Sequence, residues 1–178
     1  MTVKRDQRVG IFLDVQNLYH SAKNLYQARV NFKELVRHLT AGRQLIRATA
    51  YVVKSEGVED IHGEPVKSAQ GESAFFDALK KSGIELRVKD IQVYPGGMKK
   101  ADWDVGMAVD AIRMSSFLDA VILVTGDGDF LPLVDYLKWG AGRLVEVAGF
   151  SKTASSKMKE AADEFTAIED IPRVLIRK

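Results

Sequence analysis

The chain has 178 residues, 46% apolar and 28% charged, a balance that suits one folded domain with its own core and excludes a disordered chain. Lys and Arg number 26 against 24 Asp and Glu, so the net charge of +2 excludes a nucleic-acid binder that works by massed positive charge. With no cysteine, disulfides, thiolate catalysis, iron–sulfur clusters and cysteine-based zinc sites are also excluded.

Val9 to Leu13 is a short apolar run that stops at Asp14, the pattern of a strand buried on both faces of a parallel sheet. Phe32, Leu35, Val36 and Leu39 repeat at helical spacing, and Gly42 marks the end. Gln44 to Val53 reads as a second strand and Gly57 to Gln70 as a loop. Phe75, Phe76 and Leu79 form a further helical pattern before Gly83. Ile84 to Lys89 alternates apolar and charged residues, which predicts a third strand near a sheet edge. Val93 to Ala101 reads as a loop built on Pro95-Gly96-Gly97. Val105, Ala108, Val109 and Ile112 form the apolar stripe of a helix over Asp102 to Met114. Ala120 to Thr125 is almost purely apolar and reads as a central strand. Leu131, Val134 and Leu137 precede Gly140 as another helix. Leu144 to Ala148 is a fifth strand, and Phe165 to Ile168 a short sixth.

Strands alternating with helices of this length predict βαβ units, a parallel sheet and helices on both faces. No run approaches the roughly 18 apolar residues of a membrane span, and Met1 to Gly10 is polar, unlike a signal peptide. A cytoplasmic single domain over residues 1–178 is the expectation. The apolar helix faces also admit a homodimer.

In an open parallel sheet, ligands bind beyond the carboxyl ends of the strands where strand order reverses. The first strand ends in Asp14, with Asn17 three residues on. The fourth ends in Thr125-Gly126-Asp127-Gly128-Asp129-Phe130. If these two strands are neighbours, Asp14, Asp127 and Asp129 come within reach of one another, and Asp104 near a helix start closes the ring. Each residue also has a plainer use. Asp14 suits an N-cap, Asp127 and Asp129 suit a turn, and Asp102 suits a helix N-terminus. Asp110 fits an exposed helix position as well as a substrate-side carboxylate. Capping alone does not explain two strand ends that both carry Asp, one of them as a doublet.

Convergent carboxylates without matching Lys or Arg repel one another and raise each other's pKa, a penalty that a bound divalent cation removes. An all-oxygen donor set favours Mg²⁺ or Mn²⁺ over zinc. Such an ion can activate water and stabilise the leaving oxygen of a phosphodiester, which points to a metal-dependent nuclease. Thr125 and Asn17 are placed to orient the carboxylates, and Gly126 and Gly128 let the backbone turn with no Cβ in the way.

Among basic residues near the presumed mouth, Lys99, Lys100 and Lys152 are candidates to meet a phosphate backbone, with Lys54 and Lys157 beside them. His20, His38 and His62 lack ligand spacing and read as surface or helix-face residues, while Trp103 and Trp139 read as packing anchors. The Walker, GxGxxG and GxSxG patterns are absent.

Three segments carry a family resemblance: Ile11-Phe-Leu-Asp-Val-Gln-Asn17, Lys100-Ala-Asp-Trp-Asp-Val-Gly106 with Asp110 following, and Leu123-Val-Thr-Gly-Asp-Gly-Asp-Phe130. The stretch from Ser155 to Phe165 adds to them. The chain resembles the NYN-domain family of PIN-like nucleases, in its bacterial LabA-like branch, over a core of about residues 8–170. The resemblance implies a PIN-like three-layer αβα sandwich with a central, mainly parallel five- or six-stranded sheet ordered about 3-2-1-4-5. It implies Mg²⁺ or Mn²⁺ held by Asp14, Asp104, Asp127 and Asp129, with Asn17, Thr125 and Asp102 in support, and RNA as the partner cleaved. The alternative is a non-catalytic module that binds RNA, a nucleotide or a protein through the same cleft, which the near-neutral charge favours. A small-phosphate hydrolase is disfavoured because the first strand ends in Asp14-Val-Gln-Asn17 rather than DxD.

Overall fold

The computed structural model describes residues 5–54 and 67–177, and of residues 67–70, 93, 99 and 100 the backbone only. In chain order it contains β1 (Arg8–Asp14), α1 (Val15–Tyr26), β2 (Ala28–Val30), α2 (Phe32–Thr40), β3 (Gln44–Lys54), α3 (Lys67–Lys81), β4 (Glu85–Asp90), β5 (Gln92–Val93) and β6 (Lys99–Lys100). There follow α4 (Asp104–Ser115), β7 (Ala120–Val124), α5 (Leu131–Asp135), β8 (Leu144–Gly149), α6 (Ser156–Ala161), β9 (Glu164–Ala167) and β10 (Leu175–Arg177).

Six strands form one sheet in the order β4-β3-β1-β7-β8-β9, and every neighbouring pair is parallel. Numbered among themselves, they run 3-2-1-4-5-6. The predicted order therefore holds, with the sixth strand on the far edge. Side chains of β1 alternate between two cores, as the two-residue period of a strand requires. Val9, Ile11 and Leu13 pack under α1, α2 and α3, whereas Phe12 packs under α4, α5 and α6. β7 is buried along its whole length and does the same, with Ile122 on one side and Leu123 on the other. Crossovers leave β1 in one direction and β7 in the other, so a crevice opens between the carboxyl ends of these two strands.

Several sequence expectations need correction. The stripe Val105, Val109 and Ile112 does not face the core; Val105 is 75% exposed, and the buried residues of α4 are Met107, Ala111 and Ser115. Polar ties set this rotation. The Tyr51 hydroxyl donates to Asp110 at 2.9 Å, and Arg87 reaches the same carboxylate from β4 at 3.2 Å. They turn the Asp110 side of α4 toward the sheet, and the small Ala111 and Ser115 let the helix approach closely. Trp139 is no packing anchor, since it is 82% exposed at the end of a π-type turn over Tyr136–Gly140 that replaces the last turn of the helix expected there.

The expected loop at Val93 to Ala101 contains the hairpin β5–β6, and β2 pairs with β10 in a second small antiparallel sheet. The loop expected over Gly57 to Gln70, with His62, lies outside the described residues as far as residue 66, after which α3 begins. Among the described residues no helix is long and apolar enough to cross a membrane.

Candidate functional site

Asp14 caps a helix and also reaches the neighbouring strand end. Its Oδ1 accepts the Asn17 N–H at 3.1 Å, which caps α1. Its Oδ2 accepts a hydrogen bond from Thr125 Oγ1 at 2.9 Å, across to the neighbouring strand end. Thr125 Oγ1 also accepts the Asp127 N–H at 3.2 Å, and Asn17 Oδ1 accepts the Gly126 N–H at 3.0 Å. Asp127 Oδ1 in turn accepts the Asp129 N–H at 2.9 Å and starts a short 3₁₀ turn. The segment 125–129 is thereby fastened to β1 and α1 by side chains from both.

Gly126 and Gly128 act differently from the expectation. Neither has a positive φ. A Cβ on Gly126 would lie 3.0 Å from the Ala154 Cα, and one on Gly128 would lie 3.0 Å from Ser155 Oγ. Both glycines make room for the loop that leads into α6.

Asp104 opens α4 on the other side of the crevice. Carboxylate oxygens of Asp104, Asp127 and Asp129 lie within 4.8 Å of one another. Asp14 stands beside this trio. A cavity of about 280 Å³ is lined by Asp14, Asp102, Asp104 and Asp127 together with Asn17 and His20. Burial and the negative charges of Asp102, Asp127, Asp14 and Asp129 push the Asp104 carboxyl up to about 6. Burial also raises Asp14, against the hydrogen bonds from Asn17 and Thr125 that favour its charged form.

Among the described residues, none of Asp14, Asp104, Asp127 and Asp129 forms an ion pair. Other acids in the chain have cations of their own. Asp119 pairs with Arg8, Glu146 with Arg43, Asp163 with Lys138, and Asp110 with Arg87 and Arg113. Asp110 therefore belongs to the scaffold. Lys89 comes near the acids but is committed elsewhere, donating to the Asp102 carbonyl at 2.7 Å and lying 4.6 Å over the Trp103 ring.

Trp103 is the packing anchor expected of it. Its Nε1 donates to the Val52 carbonyl at 2.9 Å, its ring meets Tyr51 edge-on, and Gly106 leaves the room the ring needs. Lys152 is exposed in the loop after β8 and does not line the cavity. Lys99 and Lys100 form β6, and their side chains lie outside the described residues.

Gln16 was not singled out in the sequence and His20 was read as a surface or helix-face residue, yet both line the cavity, and among the described residues that line it His20 is the one with a basic side chain. The signal was present. Gln16 and His20 are four residues apart in the helix that follows Asp14, so they share a face.

Oxygen donors held this close, without an imidazole or thiolate among them, suit a hard divalent cation.

A family model described as the NYN domain matches residues 8–169. A search of curated proteins finds no match. Among solved structures, a protein of unknown function from Vibrio parahaemolyticus has a TM-score of 0.83 and 30% identity, covering 99% of this chain and 100% of that one. A mutant of the T5 5'-exonuclease has a TM-score of 0.43 and 17% identity, covering 86% of this chain and 56% of that one. With a domain match over nearly its whole length and a relative of the same extent, the chain belongs to the NYN-domain family.

Proposed function

We propose that this chain is a metal-dependent endoribonuclease of the LabA-like branch, with Mg²⁺ or Mn²⁺ held at the acidic cleft and RNA as substrate. The observation that carries this reading is the meeting of Asp104, Asp127 and Asp129 within 4.8 Å with no cationic side chain paired to them among the described residues. Left alone, that arrangement is electrostatically unfavourable, and a function that recruits a dication explains it.

Asp104, Asp127 and Asp129 would hold the ion, with Asp14 at the adjoining wall. When bound, the ion supplies Lewis acidity toward a phosphodiester and toward water. The protein's own part is positioning. Thr125 and Asn17 fix Asp14 and the 125–129 backbone, so the carboxylates do not have to reorganise as substrate arrives. Burial and the neighbouring carboxylates put a penalty on ionised Asp104 that a cation there would relieve. The His20 ring, with the Gln16 amide one turn before it, offers an N–H toward a phosphate oxygen. Lys99, Lys100 and Lys152 serve the flanking backbone, where contacts fix register without reading sequence.

The test is cleavage of end-labelled RNA with and without Mg²⁺ or Mn²⁺. Cleavage should require the ion and disappear in Asp127→Asn while the circular dichroism spectrum is kept. Cleavage that persists in that variant rejects the reading. The net charge of +2 favours the second reading, a non-catalytic binding module. RNA binding with no turnover across divalent metals would establish that reading instead.

A further inference from the structure

We infer that the outer face of α4, together with the turn that ends α5, is the interface between two copies of this chain. Val105, Val109 and Ile112 recur at i, i+4 and i+7 and are 75%, 45% and 39% exposed. Tyr136 and Trp139 add 49% and 82% exposed aromatic surface. Both elements pack on the same side of the sheet, over one core. A solvent-facing helix stripe is ordinarily polar, and large apolar side chains left exposed on one side of the sheet mark an interaction site.

The charges at its edges select the occupant. On the β4 side stands Arg113, its side chain 74% exposed and 3.9 Å from Asp110, whose carboxylate Arg87 holds more closely at 3.2 Å. On the β8 side stands Asp135, exposed and without a partner among the described residues. A two-fold axis parallel to α4 and just outside its exposed face would lay Arg113 of each copy toward Asp135 of the other and close the apolar side chains between them. Such a contact uses one patch twice and stops at two subunits. A nucleic acid or an anionic membrane would need a rim of uniform positive charge, which this face lacks. The interface stands whether or not the cavity cuts RNA.

Light scattering after gel filtration, over a concentration series of the full chain, tests it. The wild type should reach twice the monomer mass, and Val109→Glu should hold the monomer mass throughout with an unchanged melting temperature. Arg113→Asp and Asp135→Arg should each weaken the dimer several-fold, and their combination should restore it. This charge exchange lies on exposed side chains, so it decides the matter even if Val109→Glu misfolds. A wild type that stays monomeric to on the order of 100 μM overturns the inference, since specific interfaces of standard size bind at micromolar or tighter. A dimer that survives Val109→Glu overturns it too, as does a combined exchange no better than the single reversals.

Discussion

Thr125 Oγ1 donates to Asp14 Oδ2 at 2.9 Å although the two residues are 111 apart in the chain. The same hydroxyl accepts the Asp127 N–H, so one buried oxygen joins two acids of the cleft. Thr125→Val keeps the shape and removes both bonds. It should cost roughly 1–3 kcal/mol, because buried polar groups are left short of a partner. Divalent-cation affinity should fall by about 10–100-fold, as for other groups that orient metal ligands. Urea unfolding and Mn²⁺ titration check the two effects, and Thr125→Ser should recover most of each.

Asp104 gives a pH signature. Its carboxyl sits at about 6 in the folded chain against an ordinary value of 3.8. Between these values the folded chain keeps a proton that the unfolded chain has lost. Stability from this group is therefore fullest in acid and falls as pH rises through that window, to a constant penalty above it. In a chelator at about pH 7.5, Asp104→Asn should melt higher than the wild type, and the gap should close below about pH 4. Added Mn²⁺ should raise the wild-type melting temperature by more than the variant's. Melting scans across pH, with and without the ion, read all of this.

Asp129 and Asp110 separate site from scaffold. Asp129→Asn should lower Mn²⁺ affinity by at least about 100-fold, more than the loss of a group that only orients a ligand. It should leave the melting temperature in chelator unchanged or slightly raised. Asp110→Asn should do the reverse. Its carboxylate is held by Tyr51, Arg87 and Arg113, so the variant should lose roughly 1–3 kcal/mol of stability and keep ion binding. Calorimetric titration beside thermal melting distinguishes them.

Gly126 is a close-approach position. An alanine Cβ there would lie 3.0 Å from a backbone atom, the Ala154 Cα, which cannot swing aside as a side chain would. Gly126→Ala should cost roughly 1–3 kcal/mol by overpacking. It should also displace the loop after β8 and shift Asp127. The expected result is a lower melting temperature together with weaker Mn²⁺ binding.

The parallel sheet was legible because its strands announce themselves. Val121-Ile-Leu-Val124 has no other plausible home than a buried centre, and the alternation at Ile84 to Lys89 marks an edge, where β4 lies. Asp14, Asp104, Asp127 and Asp129 were legible because strand order brings the carboxyl ends of β1 and β7 together. The rotation of α4 was not. Its sequence carries two apolar faces, and the choice between them rests on Asp110 meeting Tyr51 and Arg87, contacts of high sequence separation. Gly126 and Gly128 were assigned a turn, but a residue pattern cannot show that another loop presses against them. His20 was read as a surface or helix-face residue because a histidine without ligand spacing carries no local signal, and only the packing of α1 beside the strand ends puts it on the cavity wall.

The strand order has a consequence for biosynthesis. β1 leaves the ribosome long before β7, its neighbour in the finished sheet, and only then can Thr125 meet Asp14. Until then the acids are strung along an open chain and no cleft exists. Whatever chemistry the assembled pocket performs is withheld until the 125–129 segment has emerged and docked beside β1.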